Sequence, residues 1–457
     1  MSRRGHRFCL VSLGCPKNTV DSEGLLGAMS LAGFRFMPDP AAADVCIVNT
    51  CGFLDAARRE AAAVLEELAS LRARRERPLL VAAGCLVERV GGAPELAGFL
   101  EAADACVGFA DYPRLPDLCR QWLNGVDAKP RRTPGFAGRT LPRSYLEFLN
   151  RPRMRIGSPA SACLKLGEGC SNNCSYCSIP LIRGRRVSRS MTAIVREARQ
   201  LVDAGARELN LIAQDTTAYG MDIDGTPRLG ALLTRLLQLP DPVWFRLLYT
   251  HPRHLTEDVL RIMASDPRIC PYIDLPLQHV SSRMLKAMGR GVDRRRVEQV
   301  LGWVRRHVPE AAIRTTFIVG HPGEGEREFN ELLAFVQAGH FDHMGVFVWS
   351  PEPGTVSARM NGRVPPAVAE KRRDRLMQAQ TKVSQARLRA RKGSITRLLL
   401  ERRDKTGWRG RTPWQAPDVD GVTRLARAAP TLQAGDIVPV ILTGNGRYDC
   451  RARPVEE

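Results

Sequence analysis

Residues 162–180, ACLKLGEGCSNNCSYCSIP, join a short strand-like run to three closely spaced cysteines. The run ACLKLGE predicts a β-strand, because a short, largely apolar segment bounded by glycine is typical of a buried strand. The loop after it places Cys170, Cys174 and Cys177 in a C-x3-C-x2-C spacing. Iron–sulfur clusters are held by cysteine thiolates, and a cubane with three such ligands keeps one iron open. The loop therefore predicts a cluster whose fourth iron binds an exogenous chelator.

Zinc is the first competing interpretation of this loop. A structural zinc site normally closes with four ligands in two short pairs. No partner pair of cysteines or histidines with that spacing follows downstream. His251, His254 and Cys270 are scattered, and we interpret them as ordinary surface or core residues.

The segment from about residue 161 alternates strand-like and helical patterns. Its six candidate strands are ACLKLGE, ELNLIAQ, WFRLLYT, YIDLPLQ, IRTTFIVG and HMGVFVWS. Each but the last is followed by a helical pattern, which predicts a complete or partial α/β barrel with its chemistry at the C-terminal ends of the strands. The three-cysteine loop follows the first strand and therefore lies at the predicted barrel mouth.

A second set of cysteines is spread over the N-terminal region. The runs RFCLVSLG, ADVCIVNT, PLLVAAG and ACVGFA each precede a helical pattern, which predicts a parallel sheet in an α/β domain. Cys15, Cys51 and Cys85 fall just beyond the ends of the first three runs. Because neighbouring strand ends converge on one crevice, we expect these thiols to meet there and to hold a second open cluster. Three small buried cysteines without a metal are the alternative.

The rest of the chain completes a three-domain organisation. An N-terminal domain over 1–130 is followed by a Pro/Arg/Gly-rich linker over 131–160, a barrel over 161–392 and a smaller domain over 393–457. The barrel segment ends in a basic stretch, AEKRRDRLMQAQTKVSQARLRARKG, which we interpret as a solvated connecting helix. The last domain alternates β-forming runs with turns and predicts a small antiparallel β-barrel.

Composition narrows the class of protein. The chain has 457 residues, of which 44% are hydrophobic and 25% charged, and no apolar run approaches the ~18 residues of a membrane span. Thirteen cysteines without a recognisable secretory signal favour the reducing cytoplasm, where thiols are ligands, nucleophiles or core residues. The net charge of +20 favours a polyanionic neighbourhood such as nucleic acid or the ribosome, although an arginine- and alanine-rich composition is also typical of a GC-rich genome.

The cysteine loop, with Tyr176 before its last cysteine, resembles the radical S-adenosylmethionine (SAM) superfamily. In that superfamily SAM chelates the open iron and is cleaved reductively to a 5′-deoxyadenosyl radical. Together with the second cysteine set and the C-terminal barrel, the whole chain resembles the methylthiotransferases, which combine a cluster domain, a radical SAM barrel and a TRAM domain. The resemblance implies two 4Fe–4S clusters and the use of SAM as both methyl donor and radical source.

Two branches of this family differ in substrate. One modifies an isopentenyl-adenosine in tRNA, and the other modifies the β-carbon of an aspartate in ribosomal protein S-twelve. The stretch SLGCPKNTVDSE resembles the second branch, because the tRNA branch typically has Gln-Met-Asn in place of Pro16-Lys17-Asn18. The same branch is indicated by EGCSNNCSYCSIPLIRGRRVSR, LIAQDTTAYGMD, YIDLPLQHVSSRMLKAMGRG, IRTTFIVGHPGE and APDVDG. His321, where the resemblance predicts phenylalanine, and the lead TPWQAPD into the TRAM domain are departures that leave cofactor contacts and docking open.

The remaining residue roles follow from motif position. Gln214 and Asp215 end the second barrel strand and are predicted to contact SAM, with strand-end hydrogen bonding as an equally good alternative. Gly320, in the turn VGHPGE, would let the backbone approach the adenosyl group because glycine has no Cβ. No general acid or base is predicted, since hydrogen abstraction by a radical requires none in its first step.

The resemblance also predicts the partners. They are ribosomal protein S-twelve, met on the ribosome, an electron donor, and RNA through the TRAM domain; no membrane contact and no dimer are indicated. The tRNA methylthiotransferase remains the alternative within enzymes. A basic iron–sulfur protein that binds RNA or senses redox state remains the alternative outside them, although two separate open sites disfavour it.

Overall fold

The computed structural model describes residues 5–72, 78–125, 141–240, 243–426 and 431–455. The N-terminal domain is a five-stranded parallel sheet in the order β2-β1-β3-β4-β5. Its strands are β1 (Arg7–Ser12), β2 (Arg35–Phe36), β3 (Val45–Thr50), β4 (Leu79–Gly84) and β5 (Ala105–Val107). Its helices are α1 (Pro16–Leu31), α2 (Asp55–Arg72), α3 (Cys85–Gly92) and α4 (Leu115–Leu123). Apolar clusters pack on both faces of the sheet, which explains why β3 is buried along its whole length.

The segment predicted as a linker is partly structured. Residues 141–160 contain α5 (Arg143–Phe148), and residues 126–140 lie outside the described part of the chain. Tyr145 and Phe148 of this helix are buried in the N-terminal core. The two aromatic side chains therefore anchor α5 to the first domain rather than leaving it extended between domains.

The central domain is a partial barrel of six parallel strands. The barrel strands are β6 (Ser161–Lys165), β9 (Glu208–Ile212), β10 (Trp244–Leu247), β11 (Tyr272–Asp274), β12 (Ala312–Val319) and β13 (His343–Val348). Between β6 and β9, β7 (Gly167–Glu168) and β8 (Val187–Ser188) form a short antiparallel ribbon. Two parallel sheets, β10-β9-β6 and β11-β12-β13, are joined by the bridge between Phe245 and Ile269. Within the described residues β13 does not pair with β6, so the predicted barrel is a partial one.

Helices surround this barrel on its outer face. They are α6 (Ile179–Arg183), α7 (Met191–Asp203), α8 (Met221–Asp224), α9 (Leu229–Leu236), α10 (Glu257–Ser265), α11 (Ser282–Ala287), α12 (Arg294–His307), α13 (Glu326–Gln337) and α14 (Pro366–Ala390). Short 3-10 turns lie at Pro40–Ala42, Pro94–Leu100, Phe109–Arg114, Thr216–Ala218 and Ser357–Arg359. No helix in the described ranges is long and apolar enough to cross a membrane.

Helix α14 is more than a solvated connection. Ala369, Arg372, Leu376, Gln380 and Ser384 are buried, at spacings of three or four residues. This stripe packs against α13 and β13, so α14 closes one side of the barrel, while other basic residues of the helix are exposed: Lys371, Arg375, Lys382 and Arg389.

The C-terminal domain is a closed five-stranded barrel in the order β14-β15-β16-β18-β17. Its strands are β14 (Ile395–Asp404), β15 (Gly407–Arg411), β16 (Thr423–Leu425), β17 (Ile437–Asn445) and β18 (Cys450–Pro454). The predicted antiparallel barrel is confirmed with one exception, because β16 and β18 pair in parallel.

This small barrel docks at the N-terminal end of the central strands. Arg411 bonds the carboxylate of Glu208, the first residue of β9, through two nitrogens, one of them 3.0 Å from Oε1. Arg246 donates to the same carboxylate at 2.8 Å, and all three side chains are buried. The N-terminal domain packs at the opposite, C-terminal end of the central strands.

Candidate iron–sulfur and substrate site

The cysteines of the loop after β7 lie at the C-terminal mouth of the central barrel. The backbone N–H of Cys177 donates to the carbonyl of Cys174 at 3.1 Å, and the N–H of Ile179 points at the Cys177 Sγ at 3.5 Å. Burial raises the pKa of the Cys170 and Cys177 thiols. A bound metal would offset this cost, because a coordinating thiol is deprotonated by the ion.

The segment after α11 holds this loop in place. The N–H of Ser175 donates to the carbonyl of Met288 at 2.9 Å. Gly289 has φ +65°, and a Cβ there would lie 2.3 Å from a carbonyl oxygen of the cysteine loop, so only glycine fits without a shift. The next residue, Arg290, is buried and donates to the Sγ of Cys174 at 3.4 Å.

The three N-terminal cysteines meet at the C-terminal edge of β1, β3 and β4. Cys15 precedes α1, Cys51 follows β3, and Cys85 opens α3. A Cβ at Gly14 would lie 2.8 Å from the Cys51 Cβ, and a Cβ at Gly52 would lie 2.7 Å from the Cys85 carbonyl oxygen. The order β1-β3-β4 in the sheet thus brings residues together that are far apart in sequence.

Charge and burial shift the pKa values of the N-terminal thiols in different directions. Burial alone would raise the pKa of Cys15, but the positive charges of Lys17 and Arg183 outweigh it and lower that pKa. For Cys85 burial dominates, and its pKa rises to about 12. Nearby cations thus favour the thiolate at Cys15, whereas burial raises the pKa of Cys51 and Cys85 and disfavours it there.

A buried ion network joins the central domain to the N-terminal domain beside Cys85. Arg183, the last residue of α6, donates to the Sγ of Cys85 at 3.2 and 3.3 Å, to Asp21 at 2.9 Å and also to Glu168. Lys165 bonds Asp21 at 2.5 Å and Glu168 at 3.1 Å. All four charged side chains are essentially inaccessible to solvent, and two cations balance two anions. The domains are thus joined by paired charges beside the N-terminal cysteines.

The donor sets fit iron–sulfur clusters. Each set offers three thiols in a largely buried position, and hydrogen-bond donors point at one sulfur or more in each. Hydrogen bonds to cysteine sulfur orient the ligands and tune the potential of a bound cluster. Arg183 plays this part in one set and Arg290 in the other.

The residues predicted to contact SAM have different surroundings. Gln214 donates to Glu168 at 2.7 Å, while its Oε1 is buried and has no hydrogen-bond partner among the described residues. Asp215 is already engaged by Asn172 at 2.8 Å and by Thr217 at 2.6 Å. Gln214 keeps a free acceptor for a ligand, whereas Asp215 organises the loop around it.

Gly320 has a packing reason for being glycine. It has φ +77°, and an added Cβ would lie 2.6 Å from the Cβ of Ala369 in α14. The neighbouring His321 is buried, and its Nε2 lies 3.3 Å from the hydroxyl of Ser175 in the cysteine loop. The histidine that departs from the resemblance therefore supports the loop directly.

Two histidines interpreted as scattered are in fact adjacent. The Nδ1 of His254 lies 2.8 Å from Asp215, and potential ligand atoms of Asp215, His251 and His254 lie within 4.8 Å of one another. Burial lowers the pKa of His251 well below its ordinary value, so this ring is neutral. The earlier interpretation was wrong, and the H-x-x-H spacing after the third barrel strand was the signal for it.

Several residues at this interface carried no sequence signal of their own. Asp21, Lys165, Arg183 and Arg290 stand in ordinary-looking surroundings, and only the folded chain brings them to the cysteines. Lys17 marked a branch of the family, but nothing in the sequence showed that its amino group would lie 2.8 Å from the ring centre of Tyr249.

Comparison with known proteins finds three family matches along the chain. Residues 164–336 match the radical SAM superfamily, residues 393–455 the TRAM domain, and residues 7–108 an uncharacterized protein family, UPF0004. The chain is similar in fold to the radical SAM methyltransferase TsrM from Kitasatospora setae, with a TM-score of 0.55 and 14% identity over 75% of this chain and 72% of that one. At this identity the likeness concerns the fold alone.

Relatives of similar length are much closer in sequence. Ribosomal protein uS12 methylthiotransferase RimO of Desulforudis audaxviator is 41% identical over 98% of this chain and 96% of its own length. The protein of the same name from Pelotomaculum thermopropionicum is 39% identical over 99% of this chain and 100% of its own length. The chain belongs to the RimO family of radical SAM methylthiotransferases.

Proposed function

We propose that this chain adds a methylthio group to the β-carbon of an aspartate in ribosomal protein uS12. It does so with SAM and two 4Fe–4S clusters, the cofactors of its family. The observation that carries the proposal is the pair of three-cysteine sets, one in the N-terminal domain beside the charged interface and one at the barrel mouth. A single-cluster sensor would have no use for the second site.

The two sites divide the work. Cys170, Cys174 and Cys177 would hold the radical-site cluster, and Cys15, Cys51 and Cys85 the auxiliary one. When bound, the clusters and SAM supply the one-electron chemistry that opens an unactivated C–H bond and the sulfur that replaces the hydrogen.

The remaining side chains bind and orient. Arg290 and Arg183 hold cysteine sulfurs by hydrogen bonds, one in each site. The unpartnered Oε1 of Gln214 accepts a hydrogen bond from SAM, while Asp215 keeps the strand end ordered through Asn172. Gly320 contributes to the cofactor site indirectly, through the turn that it forms beside His321.

The partners follow from this reaction. The TRAM barrel contacts RNA, so that the chain meets uS12 on the ribosome, and the net charge of +20 supports this arrangement. An electron donor reduces the radical-site cluster. Because ribosomes carry the substrate, the reaction takes place in the cytoplasm.

The deciding experiment compares cells that lack the gene with cells in which it has been restored. Intact-mass analysis of uS12 is run beside a nucleoside profile of total tRNA. A gain of about 46 Da on uS12 alone, the mass of a methylthio group in place of hydrogen, is expected. A gain on a tRNA adenosine alone would move the chain to the other branch, and a gain on neither would contradict both assignments.

Two variants test the division of labour. Cys170→Ala is expected to abolish cleavage of SAM, since it removes a ligand of the radical-site cluster. Cys51→Ala is expected to spare cleavage but to stop transfer of sulfur. Equal loss of cleavage in two folded variants would contradict the assignment of separate tasks.

A further inference from the structure

A lysine amino group lies almost buried between the N-terminal domain and the barrel mouth. Lys17, in the first turn of α1, is 8% exposed. Its Nζ lies over the ring of Tyr249, 2.8 Å from the ring centre, and forms no hydrogen bond or ion pair with any residue that the structure describes. Removing an ammonium group from water without an anion costs several kcal/mol. A cation–π contact offsets only part of this cost.

The acids near Lys17 are occupied elsewhere. Asp274, at the end of β11, accepts the N–H of Tyr249 at 2.8 Å. Glu168 is held by Arg183 and Lys165 in the buried network. The charges of Cys15 and Asp274 act on Lys17, but neither group forms an ion pair with it, so among the described residues this cation has no direct anionic partner.

Tyr249, whose ring lies beneath the ammonium group, has a strained backbone conformation. Tyr249 has φ 60°, one of three non-glycine residues with positive φ in the described chain. Its backbone is fixed on both sides, because its N–H donates to Asp274 and its carbonyl accepts the N–H of Thr216 at 3.0 Å. A non-glycine residue in this region costs ~1–3 kcal/mol and is typically found at functional sites. Tyr249 lies two residues beyond β10, at the end of the barrel where substrates bind.

The position and the charge of Lys17 together indicate which substrate group it binds. Lys17 is two residues from Cys15, and the charge of Glu168, two residues before Cys170 in the chain, also acts on it. A substrate carbon that receives sulfur must lie between the two sites. In an aspartate the carboxylate is bonded directly to the β-carbon, so an ammonium that binds the carboxylate also fixes the C–H bond beside it. An isopentenyl-adenosine has no carboxylate to offer.

We propose that Lys17 binds the side-chain carboxylate of the substrate aspartate and so selects an acidic residue. This inference rests on the proposed function, because it takes uS12 as the substrate. Lys17 acts as a binding residue: it transfers no proton and forms no bond. The ring of Tyr249 supports the ammonium from one side.

The test uses the full chain with both clusters reconstituted without oxygen. Wild type, Lys17→Met and Lys17→Arg are titrated with fluorescently labelled uS12 and with uS12 whose modified aspartate is changed to asparagine. Hydrogen bonds to charged groups contribute ~1.5–3 kcal/mol, so wild type is expected to bind the aspartate form about tenfold to a hundredfold tighter. Lys17→Met is expected to bind both forms equally, at the weaker level, and Lys17→Arg to keep part of the preference.

Controls separate this role from its alternatives. Lys382→Met removes an exposed lysine of α14 and is expected to keep the full preference for aspartate. SAM affinity and iron content are measured in every variant. A preserved preference in Lys17→Met would overturn the inference, and so would weakened SAM binding or loss of iron in both Lys17 variants. Failure of wild type to bind or modify uS12 would instead overturn the proposed function itself.

Discussion

Replacing Gly14 by alanine is expected to damage the N-terminal cysteine site and to leave the barrel site intact. Gly14 has φ +91°, and its missing Cβ is the space that Cys51 occupies. An added Cβ would lie 2.8 Å from the Cys51 Cβ and 3.2 Å from its Sγ. The cysteine would have to move by several tenths of an ångström or more, and a cluster ligand has little freedom to do so.

The chain provides a matched control for the backbone part of this effect. Gly205, in the turn after α7, also has φ +91°, but nothing lies within 4 Å of an added Cβ. Gly205→Ala therefore carries only the cost of a left-handed non-glycine residue, ~1–2 kcal/mol. Gly14→Ala carries the same cost plus ~1–3 kcal/mol for forcing a methyl group into a packed site.

The two variants are compared by urea unfolding of the iron-free chain and by iron content after reconstitution. Gly205→Ala is expected to bind about eight iron atoms per chain, as two 4Fe–4S clusters require, and Gly14→Ala about four. The iron left in Gly14→Ala should still support cleavage of SAM. Equal stability and equal iron content in the two variants would refute the argument that close approach to Cys51 requires glycine.

Three further predictions concern buried charges and hydroxyls. Arg411→Met leaves the buried carboxylate of Glu208 with one cation fewer, so the C-terminal barrel is expected to lose ~3–5 kcal/mol of docking free energy, measured by hydrogen exchange at β15. Burial raises the pKa of Glu324 to about 7. The contribution of this group to the stability of the folded state is therefore fully present below pH ~4.5 and falls by up to ~3 kcal/mol as the pH rises through 7, and Glu324→Gln should remove this component of the pH dependence in unfolding curves. Tyr145→Phe removes a hydroxyl shared by two buried carboxylates and should weaken protection of α5 by ~1–2 kcal/mol in the same exchange experiment.

The sheet and the meeting of the N-terminal cysteines could be predicted because short-range rules decide them. The strand β3 is apolar and buried on both faces, so its sequence stands out as a continuous run. Parallel strands end at the same edge of a sheet, and β1, β3 and β4 are neighbours in it. Cys15, Cys51 and Cys85 follow those strands closely, so strand order alone brings them together.

The charged interface could not be predicted in the same way. Lys165 and Asp21 are 144 residues apart, and Arg183 and Asp21 are 162 apart. Charged residues are usually exposed, so a sequence gives no reason to bury these three together with Glu168. Their pairing depends on how the first domain sits on the barrel, which is a tertiary property.

The composition of the linker segment did not predict the helix α5. The surrounding prolines, arginines and glycines favour an extended linker, and this short helix begins directly after Pro142. What fixes it is the packing of Tyr145 against Phe109 and of Phe148 against Tyr112 in the N-terminal core. The two aromatic residues within a polar segment could have indicated a buried helix, but only the structure shows that they are buried.

The buried network also limits how the substrate reaches the site. Parting the two domains would separate Asp21 from Lys165 and Arg183, and breaking a buried ion pair costs ~3–5 kcal/mol. That cost disfavours any route that opens the interface at α6. The first turn of α1, with Cys15 and Lys17, is thus a fixed wall of the site. A substrate aspartate must then fit against a preformed cation, which is the condition under which one lysine can determine specificity.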